Sequence, residues 1–331
     1  MTPEFEIAGW RIEAGTRRRC FLRVGPYFHH KMLIRRYILI PFTVVKGVET
    51  GPILVQTAGC HPTEYAGIDA TINLSNAINP EKLRGTFIGV PCVNIPGFWE
   101  RTYVNPLDEK NIQGLYPGRI DGTISDLIAY RLFNEIVLKA DYFLDCHGGD
   151  IHESEVWSFI YYKTDDEVEK KSEAIARSTS ITYLYKWLYP GAMGMEAAKR
   201  GVAGGLYEVG TGDRLLSEES SAIFEATLNV MRHLRMLEGT PNPIKGQPCT
   251  REGQEQEIRT SRASAYFTKG GLYHTNVKPG DLLTEGQEVG TVTDFWGEVV
   301  ETIRSPAAGR IMLRTHNPAV RPGDEAVTLH F

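Results

Sequence analysis

What this chain lacks narrows its possible roles. It has no run of about 18 apolar residues, the length a helix needs to cross a bilayer. Met1 to Glu13 carries acids where a secretory leader would carry basic and then apolar residues. No Cys-x-x-Cys pair occurs, and the five cysteines (Cys20, Cys60, Cys92, Cys146, Cys249) are an odd number, so free thiols are expected rather than a disulfide framework. Positive charge is not in surplus either. Lys and Arg number 36 against 41 Asp and Glu, and the net charge of −5 argues against a general nucleic-acid partner. The basic runs Arg17-Arg18-Arg19 and Arg35-Arg36 border strand-like stretches and read as solvated strand ends. Together these absences point to a cytoplasmic protein with no membrane or nucleic-acid partner.

The composition that remains, 42% hydrophobic and 23% charged, is that of a folded globular chain. At 331 residues it exceeds what one core usually supports, so two domains are expected. The first part alternates strand-like and helix-like segments, the pattern of an α/β domain with a mostly parallel sheet flanked by helices. Tyr37–Val45 and Pro52–Thr57 read as strands, followed by a helix from about Thr63 to Ile78 that Asn79-Pro80 stops. Thr86–Val90 reads as a strand, Pro91–Gly122 as a long loop, Ser125–Leu138 as a helix and Tyr142–Cys146 as a buried strand. Strands over Val156–Tyr162 and Ala203–Gly210 and helices over Asp165–Ser178 and Glu219–Leu237 complete this unit. Pro241, Pro243 and Pro248 mark a linker between Gly239 and Gly253. Beyond it, turns such as Lys278-Pro279-Gly280-Asp281 and Arg321-Pro322-Gly323-Asp324 punctuate short β-like pieces, which predicts a small all-β barrel-sandwich module. The expected division is residues 1–245 for the α/β domain and 246–331 for the β module.

Chemistry concentrates in two short segments. His61-Pro62-Thr63-Glu64 offers an imidazole and a carboxylate three residues apart at a helix entry, and Asp145-Cys146-His147-Gly148-Gly149 delivers a second imidazole from a strand end. Two histidines and one carboxylate make the ligand set of a catalytic Zn²⁺ with a position left open. Polar side chains at a helix terminus and a lone strand-end histidine are the competing explanation. Glu208 interrupts the apolar run Leu206-Tyr207-Glu208-Val209. A charge in such a run is costly unless it is paired or used. It is either a salt-bridged strand residue or the proton carrier of a hydrolase.

Taken together, Gly59-Cys60-His61-Pro62-Thr63-Glu64, Asp145-Cys146-His147-Gly148-Gly149, Tyr207-Glu208-Val209-Gly210 and the β-rich tail resemble the succinylglutamate desuccinylase/aspartoacylase family of zinc-carboxypeptidase-like amidohydrolases. The resemblance implies one zinc per subunit on His61, Glu64 and His147, with Glu208 as general base and then general acid in metal-assisted cleavage of an amide. It makes Arg101 a candidate for steadying the oxyanion, beside the simpler reading of a surface arginine. Where the family carries an arginine that grips a substrate carboxylate, this chain has Gly114, while Asn111 stays in register and Gln113 stands at a position where asparagine is common. Asn111 and Gln113 are thus the candidate substrate contacts. The expected partner is a small N-acyl amino acid or amine less acidic than acetylaspartate or succinylglutamate, such as an N-acetylated diamino acid.

Two alternatives share the features. A metallocarboxypeptidase would use the same metal set, with Arg119 or Arg131 taking a terminal carboxylate; a catalytically degenerate binding protein would explain the missing arginine. The β module could restrict the mouth of the site, with Tyr273 and His274 reaching toward it, or mediate the formation of a homo-oligomer.

Overall fold

The computed structural model describes residues 5–29, 34–164, 166–247, 256–259 and 261–331. A short hairpin, Phe5–Ile7 (β1) with Trp10–Ile12 (β2), leads into the long antiparallel pair Thr16–His29 (β3) and Ile34–Lys46 (β4). Next come Glu49–Ala58 (β5), Tyr65–Ala77 (α1), Arg84–Val90 (β6), Ile95–Glu100 (α2), Ile124–Glu135 (α3) and Tyr142–His147 (β7). They are followed by Glu153–Glu155 (β8), Ser158–Tyr162 (β9), Glu167–Ser178 (α4), Tyr183–Trp187 (β10), Met193–Ala198 (α5), Ala203–Glu208 (β11), Ser217–His233 (α6) and Glu257–Arg259 (β12).

Nine of these strands form one sheet in the order β12-β10-β9-β11-β7-β5-β6-β4-β3. Its centre is parallel, β11 with β7, β7 with β5 and β5 with β6, and the antiparallel pairs lie at β9–β11 and toward the β3 edge. The mixed, mostly parallel α/β architecture expected from the alternating pattern is what forms. The central strands are buried on both faces, and their side chains alternate between two cores. Leu54, Ala58, Leu144 and Cys146 pack with α1, α4 and α6 on one face. Val55 and Phe143 pack with α3 and α5 on the other. Fully burying one such Leu or Phe contributes about 1.5–3 kcal/mol, so the two cores together lock the sheet from which the site residues project.

Two glycines set the geometry around β7 and β5. Gly59 takes φ +63°, where a side chain would be strained, and so turns the chain sharply after β5 toward Cys60 and His61. Gly67 lets α1 lie directly on β7, since a Cβ there would come within 2.5 Å of the Cys146 Cβ. Alanine normally favours a helix over glycine by about 1 kcal/mol, but here the clash outweighs that gain. Gly67→Ala is expected to lower stability by roughly 1–3 kcal/mol in urea unfolding; an unchanged or higher midpoint would show that α1 can withdraw from the sheet.

The C-terminal part contains Arg262–Tyr266 (β13), Gly271–Thr275 (β14), Leu282–Leu283 (β15), Glu288–Thr293 (β16), Val299–Arg304 (β17), Gly309–Thr315 (β18), Ala319–Val320 (β19) and Glu325–His330 (β20). They make two antiparallel sheets, β13-β20-β18-β15 and β17-β16-β14-β19, that enclose a core including Phe267, Tyr273, Val292, Ile311 and Leu329. The small all-β module read from the turn spacing is present. It is not tethered only by its linker: β18 pairs antiparallel with β8, Leu313 opposite Glu155 and Thr315 opposite Glu153. Strand β12, from beyond the prolines, adds in parallel to β10 at the edge of the large sheet. Of the expected linker, residues 239–247 form no regular element and residues 248–255, Pro248 among them, lie outside the described residues.

Several details depart from the sequence reading. The long loop from Pro91 to Gly122 carries α2 and a 3-10 turn over Ile112–Gly114. Strands β3 and β10 and helix α5 add to the elements expected from the pattern. Arg17, Arg18 and Arg19 are exposed at the start of β3, as read from the sequence, and the Arg17 guanidinium in addition donates to the carbonyls of Ser75, Asn76 and Ile78, where α1 ends. Those carbonyls have no partner inside the helix, and a cation there also suits the helix dipole. Cys20, Cys60, Cys92 and Cys146 are buried free thiols, while Cys249 lies outside the described residues. Among the described residues no helix is long and apolar enough to cross a membrane.

Candidate active site

The carboxyl ends of the central parallel strands bring the chemistry together, as an open α/β sheet favours. His147 is the last residue of β7, Glu208 the last residue of its neighbour β11, and the two are directly paired in register. His61 and Glu64 come from the turn after β5. They do not share a face of a helical turn, because α1 begins only at Tyr65; instead the Glu64 N–H donates to the His61 carbonyl at 3.2 Å, and this tight turn apposes the side chains.

All three groups are buried, and their ligand atoms lie within 4.8 Å of one another. His61 Nδ1 is 2.8 Å from Glu64 Oε1, and His147 Nδ1 is 3.0 Å from Glu64 Oε2. Each imidazole is held from behind by its other nitrogen. His61 Nε2 donates to Asn111 Oδ1 at 3.0 Å, and His147 Nε2 to Asp145 Oδ2 at 3.2 Å; Asp145 in turn accepts from Thr57 Oγ1 at 2.6 Å. With Nε2 carrying the proton, a neutral ring presents its Nδ1 lone pair to the carboxylate. Two lone pairs and an anion facing one another repel unless a cation or an extra proton lies among them. This donor set, with each ring oriented by a second hydrogen bond, fits a zinc ion. Without one, the same apposition favours a proton on the histidine. Burial would push His147 down, but the Asp145 and Glu64 carboxylates outweigh it and hold the ring well above its ordinary value. Burial would raise Glu64, and His61 and His147 pull it below the usual carboxylate range.

A cavity of about 520 Å³ opens in front of these groups. Its walls are acidic: besides Glu64, they include Asp150, Glu153, Glu155, Glu208 and Glu325. Burial, and then repulsion from Glu64, Glu153 and Asp145 against the pull of His147, raises Glu208 to about 8. Burial also pushes Glu155 well above the carboxylate range, with Glu208, Glu153 and Glu64 adding to it. Glu153 rises to about 7, chiefly by burial. Carboxyl groups poised this close to neutrality can both accept and return a proton.

The other sequence candidates separate. Gln113 is buried and lines the cavity with its Oε1 lacking any protein partner. Asn111 does not line the cavity; its Oδ1 receives the His61 ring and the Gln113 N–H, so it braces the 3-10 turn against the histidine. Arg101 is exposed, caps α2 in a left-handed conformation, and is not among the cavity-lining residues. Tyr273 is buried in the core of the β module against Phe267, and neither it nor His274 lines the cavity.

Sequence reasoning missed several participants. Tyr103 stacks on the His61 ring at 3.9 Å between centroids, a position signalled by nothing but an aromatic residue in a functional loop. Thr57 and Asp145 carry the support for His147; the acid stood in the quoted motif, and its burial inside an apolar strand was the available signal. Arg262, Met312, Leu313, Glu325, Thr328 and His330 reach the cavity from the β module.

Residues 50–234, more than half of the chain, match the model of the succinylglutamate desuccinylase/aspartoacylase catalytic domain. The chain is 28% identical over 297 residues to the N-alpha-acetyl-L-2,4-diaminobutyric acid deacetylase of Halomonas elongata, covering 87% of this chain and 84% of that protein. In fold it is similar to the product-bound ectoine utilization protein EutE of Ruegeria pomeroyi, with TM-score 0.85, 21% identity and coverage of 96% and 97% of the two chains. A succinylglutamate desuccinylase/aspartoacylase structure from Rhodobacter sphaeroides superimposes with TM-score 0.83 at 22% identity, over 97% of each chain. With the catalytic-domain model matched over more than half of its length, this chain belongs to the succinylglutamate desuccinylase/aspartoacylase family.

Proposed function

We propose that this chain is a zinc-dependent deacylase that hydrolyses the amide of a small N-acyl amino acid whose side chain is cationic. The observation that carries the reading is the apposition of the two Nδ1 atoms and the Glu64 carboxylate beside Glu208, on the wall of one cavity. His61, Glu64 and His147 would hold the metal in this reading. Zinc bound there supplies Lewis acidity, polarising an amide carbonyl and lowering the pKa of water toward neutrality.

The chain's own groups do the rest. Glu208 takes the proton from the attacking water and passes it to the leaving nitrogen, which must depart as an amine. Its raised proton affinity suits both halves of that transfer, since a carboxyl near 8 holds a proton long enough to deliver it. Asp145 and Asn111 keep the two rings from rotating, so that their lone pairs stay aimed at one point. Gln113, with its unpartnered oxygen, is the proposed polar contact for the substrate.

Charge supports the substrate class. A second carboxylate on the acyl or amino portion would enter a cavity already lined by six acids, whereas an ammonium would relieve their repulsion. The Halomonas elongata relative, named as a deacetylase of an acetylated diamino acid, points the same way. Arg119 and Arg131, the sequence candidates for a peptide carboxylate, pair instead with Asp121 and Glu135 and do not line the cavity. The test is turnover by the zinc-loaded protein. N-acetyl-2,4-diaminobutyrate should be preferred to N-acetylaspartate by at least about ten-fold in kcat/KM, and a preference for the dianion, or no amide turnover at all, would refute the proposal.

A further inference from the structure

Among the described residues that line the acidic cavity there is one guanidinium, and the β module supplies it. Arg262 opens β13, opposite His330 of β20, and both residues line the cavity. Its guanidinium carbon lies 4.6 Å from the centroid of Trp187, the last residue of β10, which lines the same wall. Among the described residues no ion pair or side-chain hydrogen bond engages Arg262, despite the acids elsewhere in the lining; Glu325, the acid on the neighbouring strand, accepts instead from Thr328. An arginine stacked on an indole uses its face and leaves its edge, with N–H donors in a fixed fork, free for an anion. The arginines considered for a carboxylate, Arg119 and Arg131, pair elsewhere, and neither they nor the oxyanion candidate Arg101 lines the cavity.

We infer that Arg262 is the specificity residue that receives the α-carboxylate of the substrate in a two-pronged hydrogen bond, with Trp187 as its platform. The inference rests on the deacylase reading above and adds the group that orients the substrate. Elsewhere the acids lining the cavity repel a carboxylate, so the substrate enters with its carboxylate toward Arg262 and its amide toward His61, Glu64 and His147. Gly114, where the family's gripping arginine would stand, is exposed and does not line the cavity. The β module thereby becomes part of the binding site, held in place by the β8–β18 pairing.

The experiment compares two probes on zinc-loaded protein: N-acetyl-2,4-diaminobutyrate, and 1,3-diaminopropane acetylated on one amine, which has hydrogen in place of the carboxylate. Arg262→Gln should raise KM for the first roughly ten- to hundred-fold, the loss of a charge-assisted bidentate contact, with kcat little changed. The second probe should change less than about three-fold. Arg262→Lys, which keeps the charge and loses the fork, should fall between parent and Arg262→Gln on the first probe only. Equal losses on both probes, or none on either, would overturn the inference. Calorimetric binding of 2,4-diaminobutyrate and 1,3-diaminopropane to the same variants gives the same comparison without turnover. A parent enzyme that hydrolyses neither probe but loses 2,4-diaminobutyrate affinity in Arg262→Gln would sink the deacylase reading and leave the carboxylate contact standing.

Discussion

Glu208→Gln should reduce kcat by about 10²- to 10⁴-fold, the usual worth of a positioned proton carrier, while zinc content and KM stay near those of the parent. Glutamine fills the same space and keeps a polar contact but cannot exchange a proton. The pH dependence follows from the raised affinity of Glu208 for its proton, about 8 with no metal present. The base must be ionised to act, so parent activity falls as pH drops through its pKa. A bound dication lowers that midpoint below 8 by favouring the charged form. The variant should lose this limb of the profile.

Stability supplies an independent reading of the same group. In the folded metal-free protein Glu208 holds its proton up to about 8, against an ordinary value of 4.5, so the folded state binds more protons than the unfolded chain between those values. Folding stability is therefore lost as pH rises through that window, because the ionised carboxylate is uncomfortable among its acidic neighbours. Glu208→Gln removes the cost. The melting temperature of the metal-free variant should exceed that of the parent more at pH 8.5 than at pH 4.5. A constant difference across that range would mean Glu208 is already ionised and solvated in the folded protein.

His147→Ala should abolish zinc retention and lower activity by at least about 10³-fold, because one of the three proposed protein ligands is lost. Among the described residues the Asp145 carboxylate would then keep Thr57 alone as a side-chain hydrogen-bond partner, so a loss of stability is expected as well. Comparing Asp145→Asn with His147→Ala separates these effects. The amide oxygen that Asp145→Asn introduces is a weaker acceptor for the ring N–H than a carboxylate, but His147 itself stays in place. The expected penalty is about 10- to 100-fold in metal affinity rather than complete loss. Retention of stoichiometric zinc by His147→Ala would remove that residue from the ligand set.

Which parts of this arrangement can be read from the chain depends on how local their physics is. The proposed ligand residues sit in short glycine-flanked segments at the ends of apolar strands, and Glu208 is a charge in a run that otherwise reads as buried; both signals are contained in a few consecutive residues. Helix α1 and its stop at Asn79-Pro80 were legible for the same reason, as was the punctuated β pattern of the tail. Asn111 shows where local reading misleads. Its place in a polar motif suggested substrate contact, yet the side chain turns inward to cap a 3-10 turn and hold His61. Strand β10 was missed because five residues with Lys186 among the aromatics carry too short a period to distinguish. The contribution of the β module was out of reach altogether. Arg262, Thr328 and His330 arrive at the cavity because β18 pairs with β8 across more than 150 residues of chain, and nothing in either segment announces that pairing.

The central claim, that His61, Glu64 and His147 grasp one zinc ion, is tested most directly by X-ray absorption at the zinc edge on protein purified without added metal. The account predicts about one zinc per chain with two imidazole nitrogens at ~2.0–2.1 Å and carboxylate and water oxygens completing the shell. A zinc-free protein that binds none on reconstitution, or a first shell containing sulfur from Cys60 or Cys146, would contradict it.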